Sequence, residues 1–111
     1  MLCCKRKIQV VDKTGKQQEV KEMLIRKHIR FYGRVQGVGF RYHATYKARF
    51  LGLTGWVRNC YDGSVEMEVQ GEPEAIDDLL LYLHRQKFVR IERMDEEKID
   101  LKEDREFKER W

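Results

Sequence analysis

The segment Gly33-Arg34-Val35-Gln36-Gly37-Val38-Gly39-Phe40-Arg41 constrains this chain more than any other. Before it, Ile29, Phe31 and Val35 alternate with His28, Arg30, Tyr32 and Arg34, the period-two signature of a strand with one buried face. After it, Ala44, Ala48 and Leu51 recur at helical spacing within Tyr42 to Leu51, and Gly52 is a fitting stop. Three glycines between a strand and a helix let the backbone turn tightly and approach a ligand closely. At such a junction unpaired N–H groups converge and the helix dipole adds partial positive charge. Arg41 stands where the loop runs into the helix, and its planar fork of donors fits two oxygens of a phosphate or carboxylate. The loop therefore reads as a phosphate or acyl-phosphate site made of backbone amides and one arginine. Taken alone, it reads more readily as a tight connection with a solvated Arg41. It has neither the Gly-Lys-Ser/Thr ending of a nucleotide P-loop nor the G-x-G-x-x-G spacing of a dinucleotide fingerprint.

The rest of the chain supplies further elements. Ile8 onward reads as a short strand running into a turn at Asp12 and Gly15. Gln17 to Arg26 is ambiguous, because Val20, Met23 and Leu24 have helical spacing while Leu24-Ile25 suits a strand. Leu53 to Asn59 is a strand, Asp62-Gly63 a hairpin turn, and Ser64 to Gln70 a strand with Val65, Met67 and Val69 on one face and Glu66 and Glu68 on the other. Pro73 suits a first helical turn, and Ile76, Leu79, Leu80 and Leu83 form an apolar stripe. Phe88, Val89 and Ile91 begin another strand, a highly charged stretch runs from Asp95 to Glu106, and Phe107 to Trp111 reads as a short closing strand. The order βαββαβ predicts an α+β, ferredoxin-like sandwich, with two helices on one face of a four- to five-stranded, mostly antiparallel sheet.

With 111 residues the chain has room for one domain. It contains no apolar run long enough to span a membrane, and its N-terminus lacks the apolar stretch of a secretory signal. Three cysteines, two adjacent, make neither a disulfide framework nor a zinc site, a pattern that fits a reducing cytoplasm. The net charge of +4 is uneven: residues 1–27 hold eight Lys/Arg against three Asp/Glu, whereas 28–111 hold fifteen against sixteen. Residues 1–23 thus read as a basic extension, a solvated tail rather than a nucleic-acid arm, ahead of a domain spanning 24–111.

A second constellation is Gly55-Trp56-Val57-Arg58-Asn59, which ends the strand before the hairpin. In the expected topology Asn59 can face the glycine loop, where a neutral carboxamide holds a water by donating and accepting hydrogen bonds. The alternative is that Asn59 only caps the turn. His43 reads as a helix-surface residue, and Tyr42, Tyr46 and Trp56 as packing. No nucleophile is paired with a base nearby.

Together the two stretches resemble the acylphosphatase family. Gly33, Val35, Gln36, Gly37, Val38, Phe40 and Arg41 match its first motif, and Gly55, Trp56, Val57, Arg58, Asn59, Gly63, Val65 and Gly71 its second. The resemblance covers about residues 24–111 and weakens after Leu83, where the family's Gly-Pro turn is missing. Phe31 stands where a smaller aliphatic residue is usual, and Glu109 where an apolar one is expected. The resemblance implies metal-free hydrolysis of small acyl phosphates, with no cofactor. It implies that Gln36, Gly37, Val38, Gly39, Phe40 and Arg41 bind the phosphoryl group, that Arg41 clamps its oxygens and that Asn59 orients the attacking water. Inorganic phosphate or sulfate is then expected as a competitive ligand, and the protein as a monomer without membrane or nucleic-acid partners. RNA recognition by the same element order needs aromatics on the central strands. Ser64 to Gln70 has none and carries two glutamates. A sensor that binds without turnover is disfavoured by the presence of both Arg41 and Asn59.

Overall fold

The computed structural model of the chain describes residues 5–11 and 17–111. Strands β1 (Lys5–Val11) and β2 (Gln17–Met23) pair antiparallel as their own two-stranded sheet. The ambiguous stretch after Gln17 is thus a strand; the turn expected at Asp12 and Gly15 lies outside the described residues. The remaining elements are β3 (Ile25–Arg34), α1 (Phe40–Phe50), β4 (Thr54–Asn59), β5 (Val65–Gly71), α2 (Pro73–His84), β6 (Arg90–Ile99) and β7 (Phe107–Arg110). They build the expected two-helix sandwich on one five-stranded sheet ordered β6-β3-β5-β4-β7, antiparallel except for the parallel β4–β7 pair.

The core lies between the sheet and the helices. Alternation in β3 and β5 sends Ile29, Phe31, Val65, Met67 and Val69 inward, all fully buried. Ala44 and Ala48 of α1 have no bulk, so that helix lies close to the sheet, while Ile76, Leu79, Leu80 and Leu83 fill the α2 side.

Strand β6 departs from the sequence reading. It starts later than Phe88 and runs ten residues, into the charged stretch. An edge strand needs no continuous apolar face, and charges along it discourage pairing with another chain. The 100–106 segment then crosses the open face of the sheet. There Arg26, fully buried, is bonded to Glu68 (2.9 Å), Gln70 (3.1 Å) and Asp104 (2.8 Å), and Lys102 reaches Glu68 at 3.0 Å. Beside this cluster Glu66 accepts from His28 (2.6 Å) and Arg58 (2.7 Å).

Burial pushes the Glu66 and Glu68 carboxyls up, but the hydrogen bonds they receive from His28 and Arg58, and from Lys102 and Arg26, outweigh it and hold both below the ordinary 4.5. A carboxylate with a depressed folded-state pKa stabilises the fold above its unfolded pKa, and that contribution is lost as pH falls through the folded value. Urea-unfolding midpoints should therefore be flat near neutrality and fall below about pH 4.5. Glu68→Gln should flatten the fall; a midpoint that rises on acidification would contradict this account.

Candidate active site

The topology brings the candidate site residues to one end of the sheet. Strands β3 and β4 both pair antiparallel with β5, so they run in the same direction, and Phe31 and Asn59 flank Val65 from opposite sides. Strand β7, parallel to β4, ends at the same edge, with Arg110 beside Arg58. Three strand C-termini therefore meet the N-terminus of α1, the end at which a β-α-β unit with an intervening strand leaves its loops free.

The 35–39 loop is pinned at both ends by apolar contacts. Val35 and Phe40 are buried, and the Phe40 ring packs 4.9 Å from that of Phe31. Between these anchors Gly37 and Gly39 adopt φ of 73° and 78°. A Cβ at Gly37 would meet no atom within 4 Å, so glycine is required there by conformation and not by space. Gly39 is the N-cap of α1; its carbonyl accepts from His43 N–H at 3.0 Å, but no side chain caps the helix and no acidic residue stands in its first turn. Among the described residues nothing accepts from the N–H groups of Gln36, Gly37, Val38 and Gly39. With the orphan donors of the first helical turn they form a row of unpaired amides at the positive end of the helix dipole.

Gln36 has a second task that its sequence position does not reveal. Its side-chain Nε2 donates to the carbonyls of Cys60 (2.7 Å) and Ser64 (2.9 Å), tying the loop to the β4–β5 hairpin. That hairpin is capped by Asp62, whose carboxylate accepts from the N–H (3.0 Å) and hydroxyl (2.5 Å) of Ser64; these bonds lower the Asp62 pKa. Asn59 is not the turn cap: its carboxamide makes no hydrogen bond to any described residue.

Val35, Gly37, Gly39, Phe40, Arg41 and Asn59, with Tyr42 and Glu109, line one small cleft of about 190 Å³. That is the room of about six water molecules, suited to a small polar ligand. Larger clefts exist, such as one of about 420 Å³ around Leu51, Gly52 and Gln70, but Gly37, Gly39 and Arg41 do not line them. Arg41 is half-buried; its Nη1 donates to the Arg110 carbonyl at 3.2 Å and its Cζ lies 4.1 Å over the Trp111 ring. One of the guanidinium's five donors is thus used for orientation and the others are left for a ligand. The sequence reading missed this support, because a carbonyl acceptor has no side-chain signature.

The side chains of Val38 and Phe40 contribute packing; their N–H groups belong to the amide row. His43 is half-buried, with its ring 6.2 Å from that of Tyr82. Tyr42 and Tyr46, read from the sequence as packing, are exposed instead. Among the described residues no group of three or more His, Cys, Asp or Glu could hold a metal ion, and no helix is long and apolar enough to cross a membrane.

The acylphosphatase family model matches residues 27–109. An acylphosphatase of Thermococcus kodakarensis is 51% identical over 61 residues, 55% of this chain and 67% of that protein. One of Bifidobacterium longum is 60% identical over 57 residues, 51% of this chain and 59% of that protein. The second alignment thus spans less than two thirds of the relative. In three dimensions the likeness is longer: the crystal structure of acylphosphatase from Bacillus subtilis superposes with a TM-score of 0.74 at 31% identity, over 80% of this chain and all of that one. The fold, the glycine loop and the matched span agree, and the chain belongs to the acylphosphatase family.

Proposed function

We propose that this protein hydrolyses small acyl phosphates to a carboxylate and inorganic phosphate. The observation that carries the reading is the convergence, in one cleft, of the unpaired amides of the 36–39 loop, the guanidinium of Arg41 and the uncommitted carboxamide of Asn59. The substrate's phosphoryl oxygens take the amide hydrogen bonds and the Arg41 fork. Asn59 accepts from a water and points its oxygen at phosphorus, opposite the acyl oxygen. As the water–phosphorus bond forms, the phosphorus–acyl oxygen bond breaks. The bonding pair leaves with the carboxylate, and both water protons remain on the product, H₂PO₄⁻. A carboxylate is a good leaving group, so positioning and charge stabilisation suffice without a covalent nucleophile. No step in this reading needs a metal.

The test is turnover of acetyl phosphate with and without a chelator, together with amide chemical shifts on addition of inorganic phosphate. Turnover should survive chelation, phosphate should inhibit competitively, and the shifts should centre on residues 36–41. Activity lost to chelator and restored by a divalent cation would overturn the metal-free reaction, and shifts centred on the basic N-terminal residues would move the site.

Residues 1–23 lie before the family match, and among the described residues β1 and β2 form a two-stranded sheet of their own. Deleting 1–23 is expected to leave kcat/KM within about twofold of the full chain. A large fall in kcat with the fold retained would show that the segment completes the site.

A further inference from the structure

We infer that a second cleft, on the outer face of α1, receives the substrate's acyl group and favours flat, uncharged acyl groups over anionic ones. This rests on the reading of the loop as the phosphoryl site. The cleft, of about 490 Å³, is lined by Tyr42, Thr45, Tyr46, Arg49, Phe50 and Glu109. Tyr42 and Glu109 also line the smaller cleft at the loop, so the two adjoin. A molecule whose phosphoryl end sits on the loop amides has this cleft beside it for its other end.

The composition of that face points to its occupant. The solvent side of a surface helix is ordinarily polar. Here Tyr42, Tyr46 and Phe50 recur every four residues and are 64%, 56% and 73% exposed. The Tyr42 and Tyr46 rings are near-parallel, 15° apart with centroids at 6.5 Å, and present an aromatic wall at which another ring gains contact. Charge then selects among acyl groups. Arg49 is already engaged, its Nε bonded to the Phe107 carbonyl at 2.9 Å and its Nη2 3.6 Å from Glu106. The Glu109 carboxylate makes no ion pair or hydrogen bond with any described residue, so its charge is left to act on the cleft. A second carboxylate on the acyl group would be placed against it, and like charges so juxtaposed are disfavoured.

The test compares kcat/KM for acetyl, benzoyl and succinyl phosphates. The wild type should prefer benzoyl to succinyl phosphate. Tyr46→Ala should lower the benzoyl-to-acetyl ratio about tenfold, the scale of one aromatic contact. Glu109→Gln should raise the succinyl-to-acetyl ratio several-fold. Ratios do not depend on the fraction of enzyme folded, so a merely structural effect leaves them unmoved. Unmoved ratios with normal turnover overturn the acyl subsite alone. They would do so equally if Tyr46→Ala instead altered sedimentation, which would assign the face to a second copy. Failure of the wild type to hydrolyse any of the three overturns the phosphoryl reading, and this inference with it.

Discussion

Arg41→Ala should lower kcat/KM for acyl phosphates by about a thousandfold or more, the scale on which a positioned arginine acts in phosphoryl transfer. Substrate and transition state both carry phosphoryl charge, so the loss should fall on binding as well as on turnover. The inhibition constant for inorganic phosphate should therefore rise together with the fall in kcat. Arg41→Lys should also fail. A lysine is a point charge and cannot span two oxygens while donating to the Arg110 carbonyl and stacking on Trp111, as the guanidinium does. Position 41 is a half-buried surface position at the helix start, so neither variant should lower the thermal midpoint by more than about a degree or two. Near-normal phosphate affinity in Arg41→Ala would show that the loop amides hold the anion without it.

How far the sequence discloses this arrangement depends on whether a residue's partners are near it in the chain. The β3–loop–α1 unit is legible because alternation around Ile29 and Phe31, the glycines, and the spacing of Ala44 and Ala48 are all local signals. The hairpin is legible from Asp62-Gly63 for the same reason. Strand β6 is not, because an edge strand with most residues exposed has no buried face to impose a period. Val20, Met23 and Leu24 fit two periodicities at once, and only pairing with β1 selects the strand.

At the site, glycine spacing discloses the cradle and Arg41 its charge. The second role of Gln36 depends on carbonyls 24 and 28 residues away, and the orientation of Arg41 on one 69 residues away. No local pattern encodes such contacts. The exposure of Tyr42 and Tyr46 was hidden differently: an aromatic in an amphipathic helix normally signals core, and only the position of the sheet shows that these face outward.

Asn59→Ala isolates the step in which water is aligned. Asn59 ends β4 at the cleft, and its carboxamide makes no hydrogen bond to any described residue, so removing it leaves no described group unsatisfied. The turn it precedes is held by Asp62 and Ser64, and the loop by Gln36. The thermal midpoint should therefore stay close to that of the wild type. Phosphate should still bind at near wild-type affinity, since the amides and Arg41 remain. Turnover should nevertheless fall by on the order of a hundredfold, the effect of losing one positioned polar group, about 2.7 kcal/mol in the barrier. Such a loss, confined to kcat with ground-state binding intact, marks a group that acts chiefly in the transition state. Asn59→Asp separates orientation from charge. The carboxylate can still accept from water, but it repels the phosphoryl oxygens, so phosphate inhibition should weaken where it does not in Asn59→Ala. A turn cap would behave in the opposite way, with a loss of about 1 kcal/mol in stability and full activity per folded molecule. Phosphate affinity, kcat and thermal midpoint measured on the alanine variant decide between them. A destabilised but fully active protein would remove Asn59 from the chemistry and leave catalysis to the loop and Arg41.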